Sequence, residues 1–152
     1  MTHLVSEAPG ARHRPQSFGE EVANSVSHGL GFLAALAILP VALHQGAASV
    51  VGAVVFGVSA ALLYCTSTLY HAIPTPRTKR VLRVVDHGAI YVLIAGTYTP
   101  FTLGVLRGPW GWTLLGLIWG LAALGIVLKA MGGIRYPRLS LALYLAMGWL
   151  VV

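Results

Sequence analysis

The sequence predicts an all-α integral membrane protein, a polytopic bundle of four complete transmembrane helices and the start of a fifth. Three observations predict it. Of the 152 residues, 57% are hydrophobic and 9% charged, with a mean hydropathy of +0.78, whereas a soluble domain carries roughly a quarter charged residues. The apolar residues form runs long enough to cross a hydrocarbon core of about 30 Å. Those runs lack the alternation of barrel strands, and only helices and closed barrels satisfy their backbone in lipid. The net charge of +6 sits in short connections between the runs. That is a membrane-topology pattern, not a nucleic-acid surface, and it leaves membrane lipids as the partners. Cys65 is the single cysteine and lies inside a run. A disulfide framework is therefore excluded, and Cys65 reads as a small hydrophobe.

Residues 1–19 read as a flexible tail, polar and interrupted by Pro9 and Pro15, without the features of a cleaved signal peptide. The membrane domain then occupies 20–152. Ser17 stands three residues before Glu20, the spacing of a capping box at the first helix. The first span covers about 22–43. His44 follows in a connection without Lys or Arg and reads as interfacial. The second span, about 47–70, has no formal charge and ends at His71, with Pro74 and Pro76 ending the helix. A basic loop carries Arg77, Lys79, Arg80 and Arg83 before a third span over about 86–106, with Pro100 as a kink. Tyr98, Thr99 and Pro100 are assigned to packing. Trp110 and Trp112 open the fourth span, about 110–128, where an aromatic belt belongs. Gly116 and Gly120 have small-xxx-small spacing, but glycine is common in membrane helices and that explanation is preferred. Lys129, Arg135 and Arg138 form the next connection, and a fifth span begins at Leu139 and is incomplete at Val152.

The tail carries two Lys and Arg residues, the successive connections none, four, one and three. The positive-inside rule then places the N-terminus in the cytoplasm of a multi-pass inner (plasma) membrane protein. This orientation brings Glu21, Asn24 and His28 of span one, Ser67 and His71 of span two, and Asp86 and His87 of span three to one depth on the cytoplasmic side. Ionisable groups at the margin of an apolar span are functional candidates, because packing alone does not require them there. Ser67 and His71 are four residues apart and share a helix face. Ser67 could fix the His71 tautomer or hold a water. Each residue also has a plainer reading: a serine back-bonded to its helix, an Asp86 N-cap, a Glu21 favoured by the helix dipole, a His87 among headgroups. Capping explains the residues singly more easily than it explains all of them at one depth. If a metal is bound, imidazole and carboxylate donors suit zinc, which activates water for attack on an amide or ester. A catalytic zinc needs about three protein ligands; His71 offers one, Asp86 could contact the metal or its water, and no histidine follows His87.

The stretches Glu20 to Gly29, Ser67 to His71 and Asp86 to Phe101, with Trp110, Trp112 and the closing Leu141 to Leu150, resemble the bacterial hemolysin III family. That family belongs to a superfamily with the adiponectin and progestin receptors. The resemblance implies a seven-helix membrane protein with a cytoplasmic N-terminus. It implies a zinc ion held by a second-span histidine, matched by His71, and by two histidines of a seventh-span HxxxH. Asp86 matches a third-span aspartate that contacts the zinc-bound water, and Ser67 a serine near it. Glu21, Asn24 and His28 match the first-span pattern, with His87 as a further supporting residue. Three functions follow as expectations: a zinc-dependent, ceramidase-like hydrolase of lipid amides or esters, a haemolytic membrane-permeabilising protein, or a non-catalytic receptor or regulator. By this resemblance the chain reads as a C-terminally truncated member, with weak or no zinc binding and no turnover as it stands.

Overall fold

The structure is a computed structural model that describes residues 16–42, 47–132 and 136–150. Five helices follow one another: α1 (Phe18–Ala42), α2 (Ala47–Ala72), α3 (Pro76–Leu103), α4 (Pro109–Gly132) and α5 (Pro137–Gly148). Among the described residues all regular structure is helical, and four helices, α1 to α4, are long and apolar enough to cross a membrane. The protein is a polytopic helical membrane protein. His44 and most of the N-terminal tail lie outside the described residues.

The start of α1 is built by its own sequence. The Ser17 backbone N–H donates to Glu20 Oε2 at 2.7 Å, and the Glu20 N–H donates to Ser17 Oγ at 3.3 Å. This reciprocal pair is the capping box anticipated from the spacing, and it satisfies donors that a helix start leaves without partners. The helix begins at Phe18, inside the stretch assigned to the tail.

The third helix departs from the sequence reading. The segment taken as a basic loop, Arg77 to Arg83, is the first two turns of α3. Pro76 does not keep the chain out of helix; it is the first helical residue. Proline is tolerated there because its missing N–H would be unsatisfied in any case and its fixed φ already suits the helix. The fourth helix likewise continues past Leu128 to Gly132, so Lys129 is a helical residue and not part of a connection.

α3 is central: it packs along α2 on one side and α4 on the other, with α5 touching both α3 and α4. Gly52 and Gly96 allow close α2–α3 approach, since a Cβ at Gly52 would overlap the Pro100 backbone and one at Gly96 the Ser59 side chain. The buried core lies between α3, α4 and α5 and consists of Tyr91, Ala95, Tyr98, Leu114, Ile118, Ala122 and Met147. The Tyr98 hydroxyl donates to the Met147 carbonyl at 2.7 Å, and Trp119 Nε1 donates to Thr99 Oγ1 at 3.2 Å. Tyr98 and Thr99 are thus packing residues. α3 continues through Pro100 to Leu103. Gly116 and Gly120 meet no neighbouring atom, so the small-residue spacing builds no contact among the described residues. Val22, Val26, Leu30 and Leu33 on α1 are exposed. Such a continuous apolar face suits lipid, where water would make it a liability.

Candidate functional site

Antiparallel packing brings the start of α1, the end of α2 and the start of α3 to one end of the bundle. There a single carboxylate joins three helices. Glu21 Oε2 on α1 accepts from His71 Nδ1 on α2 at 2.7 Å. Its other oxygen, Oε1, accepts from Lys79 Nζ on α3 at 2.5 Å. Coulomb attraction from both partners favours the carboxylate form of Glu21. The His71 side chain is 9% exposed and Glu21 20%. A carboxylate only accepts, so the His71 proton must sit on Nδ1. In the neutral ring this leaves the Nε2 lone pair free, which is how a carboxylate prepares a histidine to bind a metal.

The sequence reading offered Ser67 either for that orienting role or to hold a water. The structure gives the role to Glu21 instead. Ser67 Oγ lies 2.6 Å from His28 Nδ1, because one helix turn separates Ser67 from His71 and each meets a different residue of α1. The His28 and His71 rings stand 5.6 Å apart, edge to face. Asn24 lies on the same stripe of α1, and its backbone carbonyl accepts from Ser27. Around the rim, Arg83 Nε donates to Tyr70 Oη at 3.0 Å, while Lys79 Nζ lies 5.0 Å from the centre of the Tyr70 ring. Cation–π attraction adds to the hold on Lys79. Spacing alone could have revealed Lys79, had Pro76 been read as a helix start.

Asp86 follows Lys79 by seven residues, two turns up the same face of α3. Its Oδ1 is buried without a hydrogen-bond partner among the described residues, as is His87 Nδ1. His87 therefore does not present that nitrogen to headgroups. No hydrogen bond joins Asp86 to Ser67 or His71 among the described residues. Nor do any three His, Cys, Asp or Glu side chains there gather closely enough to hold a metal ion. The donor types suit zinc, and His71 is oriented as a ligand would be, but the described residues do not complete a metal site.

A family model described as Haemolysin-III related matches residues 16–152. The chain is 46% identical to Hemolysin-3 of Bacillus cereus over 138 residues, which cover 88% of this chain and 63% of that protein. It is 49% identical to the Hemolysin-3 homolog of Bacillus subtilis (strain 168), covering 88% of this chain and 65% of that protein. The chain thus spans a little under two thirds of the length of these relatives. No solved structure matches it. With helices of membrane-spanning length, a polar cluster at one end of the bundle, and a family match running from the first helix to the last residue, the chain belongs to the haemolysin-III-related family of multi-pass membrane proteins.

Proposed function

We propose that the polar end of the bundle forms part of a zinc-dependent hydrolase site for lipid amides or esters, facing the cytoplasm from the inner membrane. The 2.7 Å bond between Glu21 and His71 Nδ1 carries this reading. An ion-bridged carboxylate is an uncommon device for merely capping a helix, and it leaves one imidazole nitrogen prepared for a metal. In this reading Glu21 orients His71, Lys79 keeps Glu21 ionised, His28 positions the Ser67 hydroxyl, and Asp86 holds a water. The reading requires further metal ligands from outside the described residues. The cytoplasmic orientation rests on the charge count, since Arg77, Lys79, Arg80 and Arg83 all sit at this end.

The test is metal content of the full-length gene product in lipid nanodiscs, beside its His71→Ala form. The wild-type protein is expected to bind close to one zinc per chain and the variant to lose it; equal metal in both would overturn the reading. Hydrolysis of a fluorogenic lipid amide should fall in parallel.

A second reading, membrane permeabilisation, draws on the name Hemolysin-3 borne by the Bacillus cereus relative. Dye release from liposomes separates the two. Release that persists unchanged in His71→Ala and Asp86→Ala would favour permeabilisation over hydrolysis.

A further inference from the structure

The first two turns of α3 carry four cations, and they divide between two faces. Lys79 donates to Glu21 and Arg83 to Tyr70, so both turn towards α1 and α2. Arg77 and Arg80 do not share in this. No hydrogen bond or ion pair holds either of them among the described residues. They line a shallow recess on the surface of α3 together with Val81, Val84 and Val85. Counted from Arg77, these residues follow at i+3, i+4, i+7 and i+8, which is a single helix face. It lies on the side of α3 turned away from Lys79 and Arg83.

The order of residues along this face is informative. The two arginines come first, at the end where the chain leaves the membrane. The valines follow, each turn deeper, and Val81 and Val85 remain exposed. From Arg77 to Val85 the helix rises about 12 Å. A phospholipid has the same order over the same depth, with its phosphate at the interface and its chains below. Arg77 and Arg80 are three residues apart, so their Cβ atoms stand about 5–6 Å from each other. Both guanidinium groups can therefore reach one phosphate, and their planar forks match its oxygens. A zwitterionic headgroup brings its own ammonium beside the phosphate, which two arginines repel. An anionic headgroup brings none, and basic residues at a membrane surface draw anionic lipid.

We propose that this face of α3 binds one anionic phospholipid, with its phosphate held by Arg77 and Arg80 and an acyl chain lying along Val81, Val84 and Val85. The valines are short, so the chain fits the recess beside the longer arginine stems. Lys79 and Arg83 are engaged by Glu21 and Tyr70 and take no part. The site is independent of the hydrolase reading, and testing it needs neither turnover nor metal.

Native mass spectrometry of the full-length gene product, titrated in detergent with dioleoyl phosphatidylglycerol or dioleoyl phosphatidylcholine, reads the binding. The first phosphatidylglycerol should bind about tenfold more tightly than phosphatidylcholine, and the preference should shrink as salt is raised. Arg77→Gln/Arg80→Gln should lose the preference. Val81→Asn/Val85→Asn should weaken phosphatidylglycerol binding at least about threefold with both arginines in place. Arg107→Gln, beyond the far end of α3, should change nothing. The proposal is overturned if the glutamine pair binds phosphatidylglycerol as the wild type does, or if Arg107→Gln weakens it equally. It is overturned if glycerophosphoglycerol, the headgroup without chains, displaces the lipid at equal concentration, since the recess would then take a free anion. It is overturned, too, if Val81→Cys in a Cys65→Ala background cross-links to a second copy or resists a lipid-soluble maleimide, since protein would then cover the face. Should the glutamine pair fail to accumulate, Arg80→Gln alone decides: binding weakened about threefold or more supports the site, and unchanged binding overturns it.

Discussion

The two polar regions of this bundle solve the same problem in opposite ways. At the α1–α2–α3 end, Glu21 has two direct partners and His28 and Ser67 have each other. Further along α3, Asp86 Oδ1, His87 Nδ1 and Tyr91 Oη are buried without a hydrogen-bond partner among the described residues. Direct pairing fixes geometry, and fixed geometry is what a metal-ligating imidazole needs. The difference teaches that burial of polar residues in one helical bundle is not one phenomenon. One cluster ties three helices together by direct bonds, and the other leaves polar atoms unpaired beside a tightly packed core.

Mutation should separate them. Glu21→Ala removes the acceptor of two cationic donors on two other helices, and is expected to destabilise the protein by about 3 kcal/mol. Reversible unfolding in detergent measures this, and a loss under about 1 kcal/mol would break the contrast. Gly125→Leu drives a side chain into the Tyr91 ring and should cost about 2 kcal/mol by overpacking. Its target is the packed wall of the α3–α4 region, so a neutral result would mean that the wall is loose. Ser67→Ala leaves His28 Nδ1 without its partner, at about 1 kcal/mol. Tyr91→Phe deletes a hydroxyl without a hydrogen-bond partner within bonding distance among the described residues, and should cost less than Ser67→Ala. The reverse order would show that the unpaired region is the more tightly bonded of the two. Gly120→Ala meets open space on α4 and should change stability by no more than about 0.5 kcal/mol.

The sequence announced the first cluster better than the second. Glu21, His28, Ser67 and His71 were all candidates, because each is a polar residue at the margin of an apolar run and their spacings put them on shared helix faces. Which residue meets which was not legible. Pairing depends on the relative height of α1 and α2, and no local pattern encodes that. Hence the sequence offers Ser67 as a partner of His71 or of a water, while the structure pairs His71 with Glu21 and Ser67 with His28. Lys79 and Lys129 were counted as topology charges in connections. Proline at a helix start and a fourth helix longer than its uncharged run turned both into helical residues, one bonded and one buried.

The sequence alone established the class of the protein, the presence of long apolar helices, the capping box at Ser17 and Glu20, and the gathering of polar groups at helix ends. These follow from hydropathy, helix periodicity and local capping, which act over a few residues. Only the tertiary structure decided that Glu21 ties three helices together, that Gly125 accommodates Tyr91, and that Lys129 turns inward towards His87. Those depend on which helices are neighbours and at what height they cross, and such contacts join residues dozens of positions apart, such as Glu21 and Lys79.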